Sequence, residues 1–226
     1  MKNHDCPICF RRDFLRQAAL GSAALFTTQG AFAEALTRTP PGAEGPFYPD
    51  KMPLDTDNDL IILSDKTTPA LGSVTHLSGQ VTDTQGIPVP NALVEIWQCD
   101  QNGVYLHTDS AGEDQKKHDQ HFQGYGRFMT DRKGRYYFRT IKPSPYVGRT
   151  PHIHYRISQG EKRLLTTQLY VKGDPGNAED GLLKRIKDPN QLASVLVDFR
   201  PLKKSKAGEM QAKFDIVIGW TPEDDH

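Results

Sequence analysis

Pro151-His152-Ile153-His154-Tyr155-Arg156-Ile157-Ser158 decides how this chain folds. Ile153, Tyr155 and Ile157 alternate with His152, His154 and Arg156, which is the period of a β-strand. Residues two apart share a face. The apolar set can therefore enter a core while His152 and His154 stand side by side, placed to hold one metal ion.

Just upstream, Pro145-Tyr146 lies in a Pro/Gly-rich turn, and Arg149 follows three residues before His152. A loop tyrosine there can swing onto the strand and supply an anionic oxygen. Tyr105, in Gly103-Val104-Tyr105, is a second candidate, following the apolar strand that contains Ile96 and Trp97. A phenol titrates near pH 10, so only a strongly charged metal keeps it ionised at neutral pH. Two His and two Tyr therefore suit Fe(III) better than Zn(II) or Mg(II). A fixed cation such as Arg149 beside a metal is costly unless it meets an anionic substrate. Blander readings stay open: a solvent-facing His pair, or a Tyr105 that only packs. His107, His118 and His121 are rival ligands in a polar loop, where solvation is the usual fate. His76 and His226 are assigned no role.

Outward from this region the chain reads as all-β. Candidate strands are Leu60–Leu63, His76–Thr82, Ala92–Gln98, Gly126–Thr130, Arg135–Thr140, His152–Ser158, Arg163–Val171, Ser194–Phe199 and Gln211–Ile218. Asp131-Arg132-Lys133-Gly134 is a hairpin turn, and Asn177–Ile186 is the one expected helix of the mature chain. With 19 Gly and 16 Pro among 226 residues, many short connections are expected. The architecture implied is a β-sandwich of mostly antiparallel strands with decorated loops and an extended N-terminal arm. The centre of that arm is Glu44-Gly45-Pro46-Phe47-Tyr48-Pro49. The expected division is an export signal over 1–33, arm and first strand over 34–74, and the sandwich over 75–226.

The signal rests on Arg11-Arg12-Asp13-Phe14-Leu15-Arg16, a weakly apolar run from Ala18 to Phe26, and Ala31-Phe32-Ala33 as a small-x-small cleavage site. Paired arginines suggest the twin-arginine (Tat) export machinery as a partner and a periplasmic or extracellular destination. Cleavage would remove Cys6 and Cys9, leaving Cys99 as the only thiol and excluding an internal disulfide. It would also turn the balanced charge of 28 basic and 28 acidic residues slightly negative. No basic stripe suggests nucleic acid, and no membrane association is expected once the signal is gone.

Several motifs together resemble the intradiol aromatic-ring dioxygenases. They are Leu93-Val94-Glu95-Ile96-Trp97-Gln98 with Asn102-Gly103-Val104-Tyr105, then Phe128-Met129-Thr130-Asp131 through Arg139-Thr140-Ile141-Lys142-Pro143-Ser144-Pro145-Tyr146. Arg149-Thr150-Pro151-His152-Ile153-His154, Thr166-Thr167-Gln168-Leu169-Tyr170, Gly173-Asp174 and the Glu44–Tyr48 segment complete the set. Apart from the Glu44–Tyr48 arm, the matches run in order over about residues 75–175. The resemblance implies Fe(3+) held by Tyr105, Tyr146, His152 and His154, with Tyr146 the ligand that leaves when substrate binds. It also implies Arg149 as the stabiliser of negative charge on the substrate ring and Gln168 as an orienting group. Substrates would be a small catechol-type ortho-diol and O2, and the product a cis,cis-muconate. Five residues separate Tyr146 from His152, fewer than in protocatechuate enzymes, so the loop shaping the pocket is expected to differ. No counterpart of the helical N-terminal dimerisation segment of catechol 1,2-dioxygenases is expected from these residues, and the expected mature chain is similar to the small exported members.

Two other classes compete. Val81-Thr82-Asp83 through Val94, and Thr130 through Phe138, also resemble exported prealbumin-like sandwich modules that bind or space proteins without chemistry; the Tyr/Tyr/His/His set with Arg149 speaks against that. A zinc hydrolase using His152 and His154 needs a third ligand and a general base, and no H-E-x-x-H motif supplies them.

Overall fold

Inward-facing Thr75, Leu77, Gly79 and Val81 alternate with more exposed residues along β1 (Val74–Thr82). In the computed structural model, which describes residues 35–63, 68–108, 110 and 117–219, β1 is the spine of one of two five-stranded sheets. The expected export signal, with Cys6 and Cys9, and His226 lie outside the described residues.

β4 (Arg135–Ile141) runs antiparallel to β1, Leu77 opposite Phe138. β9 (Met210–Lys213) and β10 (Ile216–Val217) pair parallel to β1, and β8 (Arg200–Pro201) pairs antiparallel to β9. The second sheet has the order β3-β2-β5-β6-β7. Its strands are β2 (Leu93–Trp97), β3 (Tyr125–Met129), β5 (His152–Gln159), β6 (Lys162–Val171) and β7 (Leu196–Val197). Only β7 joins it in parallel.

The inner faces meet in one core. Leu77, Val81, Phe138 and Phe214 from the first sheet side pack with Val94, Ile96, Ile153, Tyr155 and Ile157 from the second. Tyr155 sets its ring edge-on to Phe214 at 5.0 Å. This is the expected all-β sandwich. At about 25 cal/mol per Å2, the apolar area removed from water here is its main driving force.

Four local expectations are corrected. Leu60–Leu63 is not a strand. Leu60 and Ile61 are fully buried, but their turn is held by carboxylates: Asp57 accepts from Asp59 N–H and Asp59 from Ile61 N–H. The apolar pattern reported burial, while Asx turns dictated the backbone. The expected helix at Asn177–Ile186 is two 3-10 turns, Pro175–Ala178 and Leu183–Arg185. Between them the Asp180 carboxylate captures the amides of Leu182 and Leu183. The one α-helix among the described residues is α1 (Pro189–Val195), which overlaps the start of the expected strand Ser194–Phe199. Asp188 caps it through the amides of Asn190 and Gln191, with Pro189 at its first position. The expected strand Gln211–Ile218 is broken into β9 and β10.

The arm lies along the second sheet. Gly42 N–H donates to Thr166 O and Thr167 Oγ1 to Pro40 O, both at 2.8 Å. Glu44 reaches Arg156 at 2.8 Å and Arg163 at 3.0 Å. Because the arm covers this outer face, β5 begins with four buried residues, His152 through Tyr155.

Candidate metal centre

Register alone assembles most of the site. On the outer face of the second sheet, Tyr125 lies opposite Trp97, Trp97 opposite His154, and His154 opposite Gln168; His152 lies opposite Tyr170. His152 and His154 share this face as the alternation requires, and both are buried.

Loops bring the tyrosines in. After β2, Asp100 turns the chain by accepting from the amides of Asn102 and Val104. Gly103 passes at φ 79°, where a Cβ would press on Pro145 O at 3.2 Å and Tyr146 Cβ at 3.4 Å. A side chain there would push the two tyrosine loops apart. Tyr105 is buried and directs its Oη to within 3.2 Å of His152 Nε2. Tyr146 is half-buried in a turn closed by Arg149 N–H to Tyr146 O at 2.9 Å. Its ring lies 5.5 Å from the rings of both Tyr105 and His152. All four expected ligands are thus brought together. Of the rivals, His107 lies against Phe47, His118 pairs with Gln120, and His121 sits in the turn at Asp119.

The donor atoms suit a cation. His152 Nδ1 bonds Thr150 O at 2.7 Å, which places the proton on Nδ1 and leaves the Nε2 lone pair facing inward. His152 Nε2 and His154 Nε2 are 3.2 Å apart. Two ligand atoms about 2.1 Å from one ion, at right angles, stand roughly 3.0 Å apart. Burial first, then Arg149, lowers His152 to about 4. Burial, His152 and Arg149 push His154 well down. Both imidazoles are therefore neutral at pH 7, as ligation requires. Burial raises Tyr105 well above the ordinary phenol value and Tyr146 in the same direction, against an opposing pull from Arg149. Ionising this pair needs a strong positive charge between them. Among the described residues no group of three His, Cys, Asp or Glu stands where it could hold a metal, and none of them offers the third ligand a zinc hydrolase needs beside His152 and His154.

Several neighbours carried no functional assignment from sequence. Trp97 stacks on His154, ring centroids 4.9 Å apart at 12°. Phe47 stacks on Tyr105 at 5.1 Å and 28°. Tyr48 stands edge-on to Trp97, donates to Glu95 at 2.8 Å, and carries the Arg156 guanidinium over its ring at 3.8 Å. Glu95 also accepts from Tyr125 at 2.6 Å. A carboxylate inside Leu93-Val94-Glu95-Ile96-Trp97 was its visible signal. Asp180 had none.

Arg149 is fixed from two sides. Its Nε donates to Asp180 Oδ2 and its Nη2 to Gln168 Oε1, both at 2.7 Å. Tyr170 donates to the same Gln168 oxygen at 2.9 Å, and Gln168 Nε2 donates to Ala43 O at 2.6 Å. Burial opposes the Asp180 charge, but the Leu183 amide and Arg149 outweigh it and hold the carboxyl below its usual range.

The fold and the site together define a β-sandwich that gathers two tyrosines and two neutral histidines beside a held guanidinium. Comparison with known proteins matches residues 43–219 to the family described as Dioxygenase. Hydroxyquinol 1,2-dioxygenase of Corynebacterium glutamicum is 31% identical over 77% of this chain and 61% of its own length. Protocatechuate 3,4-dioxygenase beta chain of Burkholderia cepacia is 35% identical over 72% and 71%. The dioxygenase domain of a carbohydrate-binding fusion protein from Streptomyces sp. SirexAA-E superposes with a TM-score of 0.61 at 30% identity, over 82% of this chain and all of that one. The chain belongs to the intradiol ring-cleavage dioxygenase family. It spans 61% of the Corynebacterium enzyme and 49% of a matched catechol 1,2-dioxygenase from Acinetobacter baylyi.

Proposed function

We propose that this protein binds one Fe(III) through Tyr105, Tyr146, His152 and His154 and cleaves a catechol-type ortho-diol with O2 to a cis,cis-muconate-type product. The observation that carries the reading is the convergence of Tyr105 Oη, His152 Nε2 and His154 Nε2, in two contacts of 3.2 Å, beside Arg149. Relatives named for hydroxyquinol, catechol and protocatechuate support the substrate class without choosing among them.

Bound ferric iron would supply Lewis acidity, favouring the ionised diol and making its ring reactive towards O2. The chain's own residues do the rest. Tyr105, buried under Phe47, is the fixed phenolate. Tyr146, half-buried on a loop, is the one free to move, and its Oη accepts a proton from the incoming diol. Neutral His152 and His154 contribute no charge. The Arg149 guanidinium stabilises negative charge as it develops on the ring. Gln168, with its amide oxygen taken by Arg149 and Tyr170, presents a fixed edge against which the substrate is oriented. Phe47 and Trp97 help keep water from the charged atoms. The signal read at residues 11–33 supports an activity outside the cytoplasm; retention of an Arg11→Lys/Arg12→Lys variant in the cytoplasm would support that reading.

The test is a visible spectrum of the iron-loaded protein, titrated anaerobically with catechol. A broad tyrosinate-to-iron band that shifts on titration supports the reading. A colourless protein after ferric reconstitution overturns it.

A further inference from the structure

Asp180 is a buried carboxylate with its side chain wholly out of solvent, and nothing in the chemistry above uses it directly. It accepts four bonds. Oδ1 takes the amides of Leu182 at 3.0 Å and Leu183 at 2.9 Å. Oδ2 takes Arg149 Nε at 2.7 Å and Thr150 N–H at 3.1 Å. The two oxygens have separate tasks: one shapes its own loop, the other grips the residues entering β5.

That second grip reaches two functional groups. Arg149 has a long side chain whose rotamer freedom would let it swing towards solvent through the exposed Val147–Gly148 turn. Oδ2 holds its Nε, so the planar fork can aim Nη2 at Gln168 Oε1, 2.7 Å away. Through the same peptide region, Thr150 N–H is tied to Asp180 while Thr150 O accepts His152 Nδ1 at 2.7 Å. A loop 31 residues downstream thus sets the guanidinium, while the imidazole is held by Thr150 O rather than by Asp180 itself.

We propose that Asp180 is the positioning residue for Arg149, acting on turnover only through the guanidinium it holds. This rests on the dioxygenase reading above. The bare alternative is that Asp180 merely caps the turn at Leu182 and Leu183. Asp180→Asn separates the two. An asparagine oxygen can keep the two amide bonds of the turn, but its NH2 faces the Arg149 Nε–H as a second donor and cannot hold it. A buried cation without its partner then leaves its position.

The experiment compares the iron-loaded wild type, Asp180→Asn, Arg149→Ala and the double variant, using catechol and O2. Asp180→Asn is expected to keep its iron, its catechol-shifted band and a KM within about threefold, while kcat falls roughly 10- to 100-fold. In the Arg149→Ala background the same substitution should change kcat by less than twofold, because its only route of action is gone. A readout independent of turnover is the Arg149 Nε–H resonance of the metal-free protein. It should exchange slowly with solvent in the wild type and rapidly in Asp180→Asn. A wild type that cleaves catechol, with Asp180→Asn at more than half its kcat, overturns the proposal alone. So do losses that multiply in the double variant, or an Nε–H that stays protected. A wild type that binds iron but cleaves no diol overturns the dioxygenase reading, and with it this role.

Discussion

The Trp97 indole lies almost flat on the His154 imidazole, 4.9 Å between centroids and 12° between planes. The two histidines are held differently. His152 is fixed by a hydrogen bond from Nδ1, whereas His154 Nδ1 is buried without a partner. Packing does most to orient His154: Trp97 lies on one face and the Gly45 backbone near Cε1, where a Cβ would come within 3.2 Å, with the Ala43 backbone as a weaker polar contact. Trp97→Leu should therefore speed iron loss to a chelator by about 10-fold, with Trp97→Phe close to wild type. An unchanged rate in Trp97→Leu would show that the stack does not hold the imidazole.

Tyr146 and Arg149 should separate binding from turnover. Tyr146→Phe removes the proposed proton acceptor, so stopped-flow association of catechol should slow by about 10-fold or more with bound iron retained. Arg149→Ala should bind catechol but turn over at least about 100-fold more slowly. Wild-type association in the first variant, or wild-type turnover in the second, would refute the corresponding role.

The arm is latched by Tyr48. Its hydroxyl donates to buried Glu95, which then keeps only Tyr125 if Tyr48 becomes Phe. The cost should be about 1–3 kcal/mol, as for a buried group that loses a hydrogen-bond partner. Urea unfolding reads the stability, and proteolysis between residues 40 and 50 reads the latch. Tyr48→Phe with wild-type stability and protease resistance would mean that the edge-on packing of Tyr48 against Trp97 suffices.

The metal-free protein should be acid-sensitive through its histidines. His152 titrates near 4 in the fold and near 6.5 when unfolded. Between those values the unfolded chain binds the extra proton, so stability is full above pH 6.5 and falls as pH drops towards 4. Burial of His154 acts in the same direction. Relative to His152→Gln, the wild type should lose roughly 2–3 kcal/mol more between pH 7 and pH 4.5 in urea titrations. Parallel losses in the two proteins would contradict the depressed value.

Gly79, in the middle of β1, should tolerate no side chain. A Cβ there would overlap the Phe214 carbonyl and meet Tyr136 Oη at 2.6 Å, and the carbonyl is backbone that cannot rotate away. Gly79→Ala should cost about 3 kcal/mol or more, seen as a lowered Tm. A wild-type Tm would show that β1 and the Phe214 segment can separate without loss.

The sequence by itself determined the strands that alternate cleanly and the identities of the groups meeting at the site. The period of two in His152–Ser158 put both imidazoles on one face and Ile153, Tyr155 and Ile157 on the other. Asp131–Gly134 marked its turn by residue type. These are local properties, carried by neighbouring residues and readable without the rest of the chain. Tertiary structure alone decided that Asp180 grips Arg149, that Trp97 backs His154, and that the arm covers the outer face of β5. It also drew Leu60 and Ile61 into the core, while local carboxylate-to-amide bonds made turns of that segment and of the expected helix at Asn177–Ile186. Periodicity records which face is buried, not what covers it. A carboxylate that captures amides two or three residues on overrides helix and strand propensity locally, whereas its grip on a guanidinium 31 residues away exists only once the chain has closed.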